Sequence, residues 1–193
     1  MIDITNIEWL HGSMETLLER PVVPFADEVI EELDALSKAL MKAPASRQYP
    51  DVVTFAFFCR RGNLLKLRED YALSIVDCGE SIIDNRKSKI RIGWGLIFHI
   101  APSNVPVNFA YSVVAGLLAG NTNVVRVSQK QFPQVDIIVK HMRATNMHRV
   151  AVVRYPHESN ANEVFSSLCN VRVIWGGDAT IETIRKNAIP ARA

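Results

Sequence analysis

The distribution of apolar positions changes character near residue 93. From there on, short near-continuous apolar runs alternate with stretches in which apolar residues return every three to four positions. Runs of the first kind suit strands buried on both faces, and those of the second kind suit helices of about three turns. This predicts strands at Gly95–Ala101, Asn123–Val127, Val150–Tyr155 and Val171–Trp175. Between and after them it predicts helices at Pro106–Ala119, Pro133–Met147, Ser159–Leu168 and Asp178–Asn187. Pro106 suits a helix start and Gly120 a C-terminal cap. Ser159 or Asn160 is the expected cap of the third helix, and Asp178 of the fourth.

Before residue 93 the pattern is mainly helical. Val29, Leu33, Leu36 and Leu40 share one face over residues 24–42, acidic residues crowd the first turns, and Pro44 closes the run. Residues 51–61 have strand-like chemistry, but the length of the run and Gly62 at its end favour a buried helix. The charged segment 63–71 has mixed helical character. Lys87, Lys89 and Arg91 alternate within 84–91, as on the wet face of an edge strand, with anion binding as an alternative. The whole therefore reads as an α/β chain. A mainly helical segment, 1–92, precedes an incomplete Rossmann-like, doubly wound parallel sheet, 93–193.

Composition narrows the class of protein. With 193 residues, 48% hydrophobic and 22% charged, the chain has the balance of a globular domain. A net charge of +2 gives no electrostatic case for nucleic acid or an anionic membrane. No run approaches the roughly 18 apolar residues of a membrane span, and the N-terminus does not read as a secretory signal. Three widely spaced cysteines, Cys59, Cys78 and Cys169, fit free thiols in a reducing compartment, so a cytoplasmic location is expected. No Cys/His spacing suggests a metal site.

Ligands of open parallel sheets bind at the carboxyl ends of the strands. Three of those ends carry unusual residues: Pro102-Ser103-Asn104-Val105-Pro106, Arg126-Val127-Ser128-Gln129-Lys130 and Trp175-Gly176-Gly177-Asp178. Each has a plain explanation alone: a turn asparagine, solvated cations, a tight glycine turn. Their gathering at one edge of one sheet favours a binding site.

The run from Gly93 to Pro106, continuing through Gly120-Asn121-Thr122-Asn123-Val124-Val125, resembles the aldehyde dehydrogenase superfamily. There a strand enters a Pro-x-Asn-x-Pro turn, followed by a helix, Ala-Gly-Asn and a valine-rich strand. Within that superfamily the chain is most similar to the acyl-CoA reductases, which include the fatty acid reductase that supplies long-chain aldehyde to bacterial luciferase. The matching segments are Ser103–Pro106, Asn108–Ser112, Val171–Asp178 and Ile184–Arg192.

The resemblance implies NADPH-dependent reduction of an acyl-CoA or acyl thioester to an aldehyde through a cysteine acyl-enzyme. It implies that Asn104 donates to the oxyanion. It places Arg126 where the superfamily has a cofactor-binding lysine, and Gln129 where NAD-preferring relatives carry a glutamate. Gly176 and Gly177 fall at the helix start facing the pyrophosphate. Ala101, Pro102, Ser128 and Lys130 complete the expected cofactor contacts. Gly177 replaces the usual serine of that turn, which removes a side-chain phosphate contact.

None of the three cysteines falls at the family's nucleophile position, so the expectation is an N-terminal, cofactor-binding portion without the cysteine domain. The expected partners are the acyl thioester, an acyl-transferring protein and, for a complete enzyme, further copies of itself. The alternative is a non-catalytic nucleotide-binding or assembly subunit. His99, on a buried strand, reads as a core histidine with a hydrogen-bond partner, with a catalytic role as the alternative.

Overall fold

The computed structural model describes residues 4–76 (side chains to 71) and 92–190. The alternating basic segment 84–91 and Cys78 lie outside the described residues.

Five strands form one sheet: β1 (Glu8–His11), β2 (Leu96–Ile100), β3 (Thr122–Arg126), β4 (Val150–Arg154) and β5 (Val171–Ile174). Their spatial order is β1-β4-β3-β2-β5. Strands β4, β3, β2 and β5 run parallel, and β1 pairs antiparallel with β4. All four expected strands are present, and the doubly wound α/β fold is the one read from the sequence. The edge strand β1 was not foreseen. It is only four residues long and buries only Leu10, so its alternation carries little signal.

Seven helices flank the sheet within the described residues: α1 (Asp27–Lys42), α2 (Pro50–Phe58), α3 (Arg61–Val76), α4 (Asn108–Leu118), α5 (Pro133–Ala144), α6 (Ala161–Leu168) and α7 (Asp178–Arg185). Alternate strand residues face opposite sides. On one side Val125, Val127, Val150 and Val152 meet α4 and α5, and α1 to α3 pack into the same core. On the other, Leu96, Phe98, Ile100, Val124, Ala151 and Val153 meet Phe165 of α6 and Ile184 of α7.

Three local expectations are corrected. Gly62 does not cap a helix: α2 ends at Phe58, and Gly62 lies in the first turn of α3. Pro106 is not the first helical residue, because α4 starts at Asn108. Asp178 is not a cap: Gly177 holds that position without a side-chain bond, and Asp178 lies in the first turn, where its charge complements the helix dipole.

The strand order reverses at β2. β3 and then β4 build out on one side of it, while β5 lies on the other. The helix that follows β2, α4, packs on one face of the sheet and the helix that follows β5, α7, on the other, which opens a crevice at the carboxyl edge, the switch point at which such sheets bind ligands.

Candidate functional site

A cavity of about 680 Å³ occupies that crevice. The end of β2 contributes Ala101, Pro102, Ser103 and Asn104, and the end of β3 contributes Arg126 to Lys130. His157 enters from the end of β4, and Trp175, Gly176 and Gly177 from the end of β5. Every expected site residue therefore lines one cavity: Ala101, Pro102, Asn104, Arg126, Ser128, Gln129, Lys130, Gly176 and Gly177. Trp175, which the sequence placed at the end of β5 without a role, lines it as well, as do His157 and Thr180, which were not singled out. Asp178, the last residue of that strand-end segment, does not line it, so its carboxylate is not among the groups that face the cavity.

The polypeptide holds these groups by simple means. The β2–β3 ladder extends one step, Ala101 N–H donating to Arg126 C=O at 3.1 Å, which fixes the start of the Pro102–Asn104 turn. Pro102 and Pro106 then restrict the backbone around the exposed Asn104 amide. The Arg126 guanidinium lies over the Tyr155 ring, 4.9 Å from its centroid, as a planar cation does on an aromatic face. Its Nη2 donates to the Tyr155 carbonyl at 3.5 Å, and its Nε is buried without a hydrogen-bond partner. The Ser128 hydroxyl accepts from Lys130 N–H at 3.1 Å, and Arg154 Nε donates to the Ser128 carbonyl at 3.1 Å, so Ser128 ties the start of the loop after β3 to β4.

Gly176 and Gly177 lead into α7, where Thr180 N–H already donates to Gly177 C=O at 2.9 Å and the N–H groups of Asp178 and Ala179 ahead of it have no acceptor within the helix, as at a natural anion site. A Cβ added to Gly177 would meet nothing within 4 Å. The glycine is thus not needed to avoid a clash within the protein.

His99 is buried, and burial holds it neutral, its pKa pushed down to about 4. Its Nδ1 is 2.8 Å from Ser112 Oγ and its Nε2 2.9 Å from Asn123 Oδ1, which matches a satisfied core histidine. Burial also raises the pKa of Cys59 and Cys169, and neither lines the cavity. No group of metal-ligating side chains occurs among the described residues. No helix among them is long and apolar enough to cross a membrane.

The family model for acyl-CoA reductase (LuxC) matches residues 20–193. Among curated proteins none matches the chain in sequence. Three solved structures illustrate the likeness in fold. A salicylaldehyde dehydrogenase from Pseudomonas putida G7, complexed with salicylaldehyde, is 18% identical with a TM-score of 0.58, over 90% of this chain and 39% of its own. A gamma-glutamyl phosphate reductase from Thermotoga maritima is 16% identical with a TM-score of 0.53, over 85% and 47%. A betaine aldehyde dehydrogenase from Staphylococcus aureus in complex with NAD+ is 16% identical with a TM-score of 0.50, over 85% and 34%. The chain thus spans less than half the length of these relatives, and identities this low establish the shared fold alone.

Proposed function

The chain belongs to the acyl-CoA reductase (LuxC) family, a family of oxidoreductases, and from that premise we propose that it is the cofactor-binding part of an enzyme reducing long-chain acyl thioesters to aldehydes with NADPH. The observation that carries the reading is the convergence of Asn104, Arg126, Gln129, Lys130, Gly176 and Gly177 on one cavity at the switch point of the sheet.

The residues suit a dinucleotide. The Gly176-Gly177 turn and the start of α7 would hold the pyrophosphate, with the open space at Gly177 leaving room for close approach. Arg126 and Lys130 would pair with the 2′-phosphate. Gln129 supports this choice, because a glutamate at that position would repel the phosphate. Ala101, Pro102 and Ser128 would form the walls. When bound, the cofactor supplies hydride.

On the substrate side, a cysteine thiolate would displace coenzyme A from the acyl thioester. The resulting enzyme thioester would be reduced to a thiohemiacetal, which releases aldehyde and restores the thiol. Asn104 would donate its amide N–H to the carbonyl oxygen as that oxygen becomes negative. A neutral amide does this without a change of protonation. The nucleophile is assigned to neither Cys59 nor Cys169, both buried with raised pKa values.

The test is calorimetric titration of the chain with NADPH and NADH. The expected result is one site that prefers NADPH, with Gln129→Glu reducing that preference by about tenfold, the cost of one like charge set beside the 2′-phosphate. Asn104→Ala should leave both affinities nearly unchanged, since its contact belongs to the transition state. Absence of NADPH binding, or equal affinities that Gln129→Glu does not alter, would reject the reading.

A further inference from the structure

Four side chains form a hydrogen-bond chain in which donation runs one way, from the cavity to the core. Asn123 Nδ2 donates to the Asn121 carbonyl at 2.9 Å, so its Oδ1 is the acceptor facing His99. His99 Nε2 therefore carries the proton and donates to Asn123 Oδ1 at 2.9 Å. That leaves His99 Nδ1 to accept from the Ser112 hydroxyl at 2.8 Å. Ser112 Oγ in turn accepts from the indole N–H of Trp175 at 3.1 Å. Each donor finds one acceptor, and burial, which keeps His99 neutral, preserves the direction.

His99, Ser112 and Asn123 are buried, whereas Trp175 is 45% exposed and lines the cavity. Apolar residues would pack α4 against β2 and β3 without any of these polar groups. What the chain adds is a fixed indole. The polar edge of Trp175 is tethered to Ser112 on α4, and apolar ring surface is left at the cavity.

The location selects what that surface meets. Trp175 ends β5, next to the end of β2 that carries Asn104, while Gln129, Lys130 and His157 sit at the ends of β3 and β4. We propose that Trp175 is the aromatic wall for the nicotinamide-bearing half of the dinucleotide, held in place by the buried relay Ser112–His99–Asn123. The proposal rests on the cofactor reading given above. A dinucleotide whose adenosine phosphate lies over β3 and β4 brings its other half over β5 and β2. An aromatic face preset at one rotation loses little freedom on stacking, so the tether contributes to affinity through preorganisation. In this reading Ser112 and His99 are positioning residues and Trp175 is the contact.

The experiment uses the chain as it is, titrated with NADPH and with 2′,5′-ADP, which shares the adenosine and its 2′-phosphate but lacks the nicotinamide half. Trp175→Ala should weaken NADPH by about tenfold and Trp175→Phe by about threefold, the range expected for one aromatic contact. Both should leave 2′,5′-ADP within about twofold. Ser112→Ala should weaken NADPH by about threefold and add nothing on top of Trp175→Phe, because the hydroxyl acts only through the indole N–H. In Ser112→Ala the Trp175 indole proton should also exchange faster with solvent. Equal weakening of NADPH and 2′,5′-ADP, wild-type affinity in Trp175→Ala, or additive losses in the double variant would overturn the proposal. If the wild-type chain binds 2′,5′-ADP but Trp175→Ala leaves NADPH unaffected, only the Trp175 assignment falls. If it binds neither compound, the cofactor reading falls and this proposal with it.

Discussion

On strand β2, His99 has both ring nitrogens occupied inside the fold, and its titration is therefore tied to folding. Burial lowers its pKa from 6.5 to about 4. Between those values the unfolded chain binds a proton that the folded chain refuses, so stability rises with pH across the window. The contribution is complete above about pH 6.5 and is lost as the pH falls towards 4; a shift of this size corresponds to about 3 kcal/mol. Melting temperature should accordingly drop by on the order of 10 °C over that range for a chain of this size. The half-buried His11, also shifted down by desolvation, pulls in the same direction. His99→Gln separates the two, because His11 and the carboxylates are common to both proteins. Melts of wild type and His99→Gln from pH 4 to 7 should diverge in slope, with the variant flatter. Parallel curves would show that His99 is not the group that titrates.

Two glycines, one in α4 and one at the start of α7, make the corresponding argument for elements. A Cβ on Gly116 would overlap Asn123 Oδ1 and approach His99 Nε2 to 3.2 Å, in the middle of the buried relay. Helix propensity alone would favour alanine there by about 1 kcal/mol. Overpacking of a core typically costs about 1–3 kcal/mol, and the Asn123 amide that is struck is held at both ends, its Oδ1 by His99 and its Nδ2 by the Asn121 carbonyl, so the clash wins. Gly177 has no protein atom to strike. Gly116→Ala should therefore lower the melting temperature, whereas Gly177→Ala should leave it within a degree or two and weaken NADPH severalfold by filling the space proposed for the pyrophosphate. A stable Gly116→Ala, or a Gly177→Ala with unchanged NADPH affinity, would contradict the respective assignment. Element recognition from sequence followed the same physics. Strands such as Val150–Arg154 were legible because both faces are buried and the apolar run is unbroken. The turn between α2 and α3 was not, since Cys59 and Arg60 carry no breaker and Gly62 drew the boundary past them. The strand ends that form the cavity could be located in the sequence. The role of Trp175 could not, because its indole partner, Ser112, lies on another element far away in the chain.

At the level of the whole molecule, the residues before and after 93 are bound by more than chain continuity. Val29, Ile30, Leu33, Leu36 and Leu40 of α1 are fully buried and share a core with Phe109, Val113 and Leu117 of α4 and Ile138 and Met142 of α5. Backbone bonds stitch the same junction: Val22 N–H to Gly120 C=O at 2.8 Å, Phe25 N–H to Leu118 C=O at 2.7 Å and Gly93 N–H to Val22 C=O at 2.8 Å. Arg149, just before β4, reaches back to Glu28 at 2.8 Å and Glu32 at 3.7 Å on α1. At the far edge, β1 covers β4 and buries Leu10. The change of pattern at residue 93, taken as a boundary in the sequence, therefore crosses one continuous core. A fragment of residues 93–193 would expose the α4–α5 face that α1 covers and free the edge of β4. Each large apolar side chain left uncovered forfeits about 1.5–3 kcal/mol, against a typical domain stability of about 5–15 kcal/mol. Five such contacts from α1 are enough to remove the whole margin. The fragment should be aggregated or molten, with strong binding of a hydrophobic dye, no cooperative melt and no NADPH binding, even though it contains every residue of the proposed site. A monodisperse 93–193 fragment that melts cooperatively and binds NADPH like the full chain would show that the sheet and its cavity stand without the N-terminal helices.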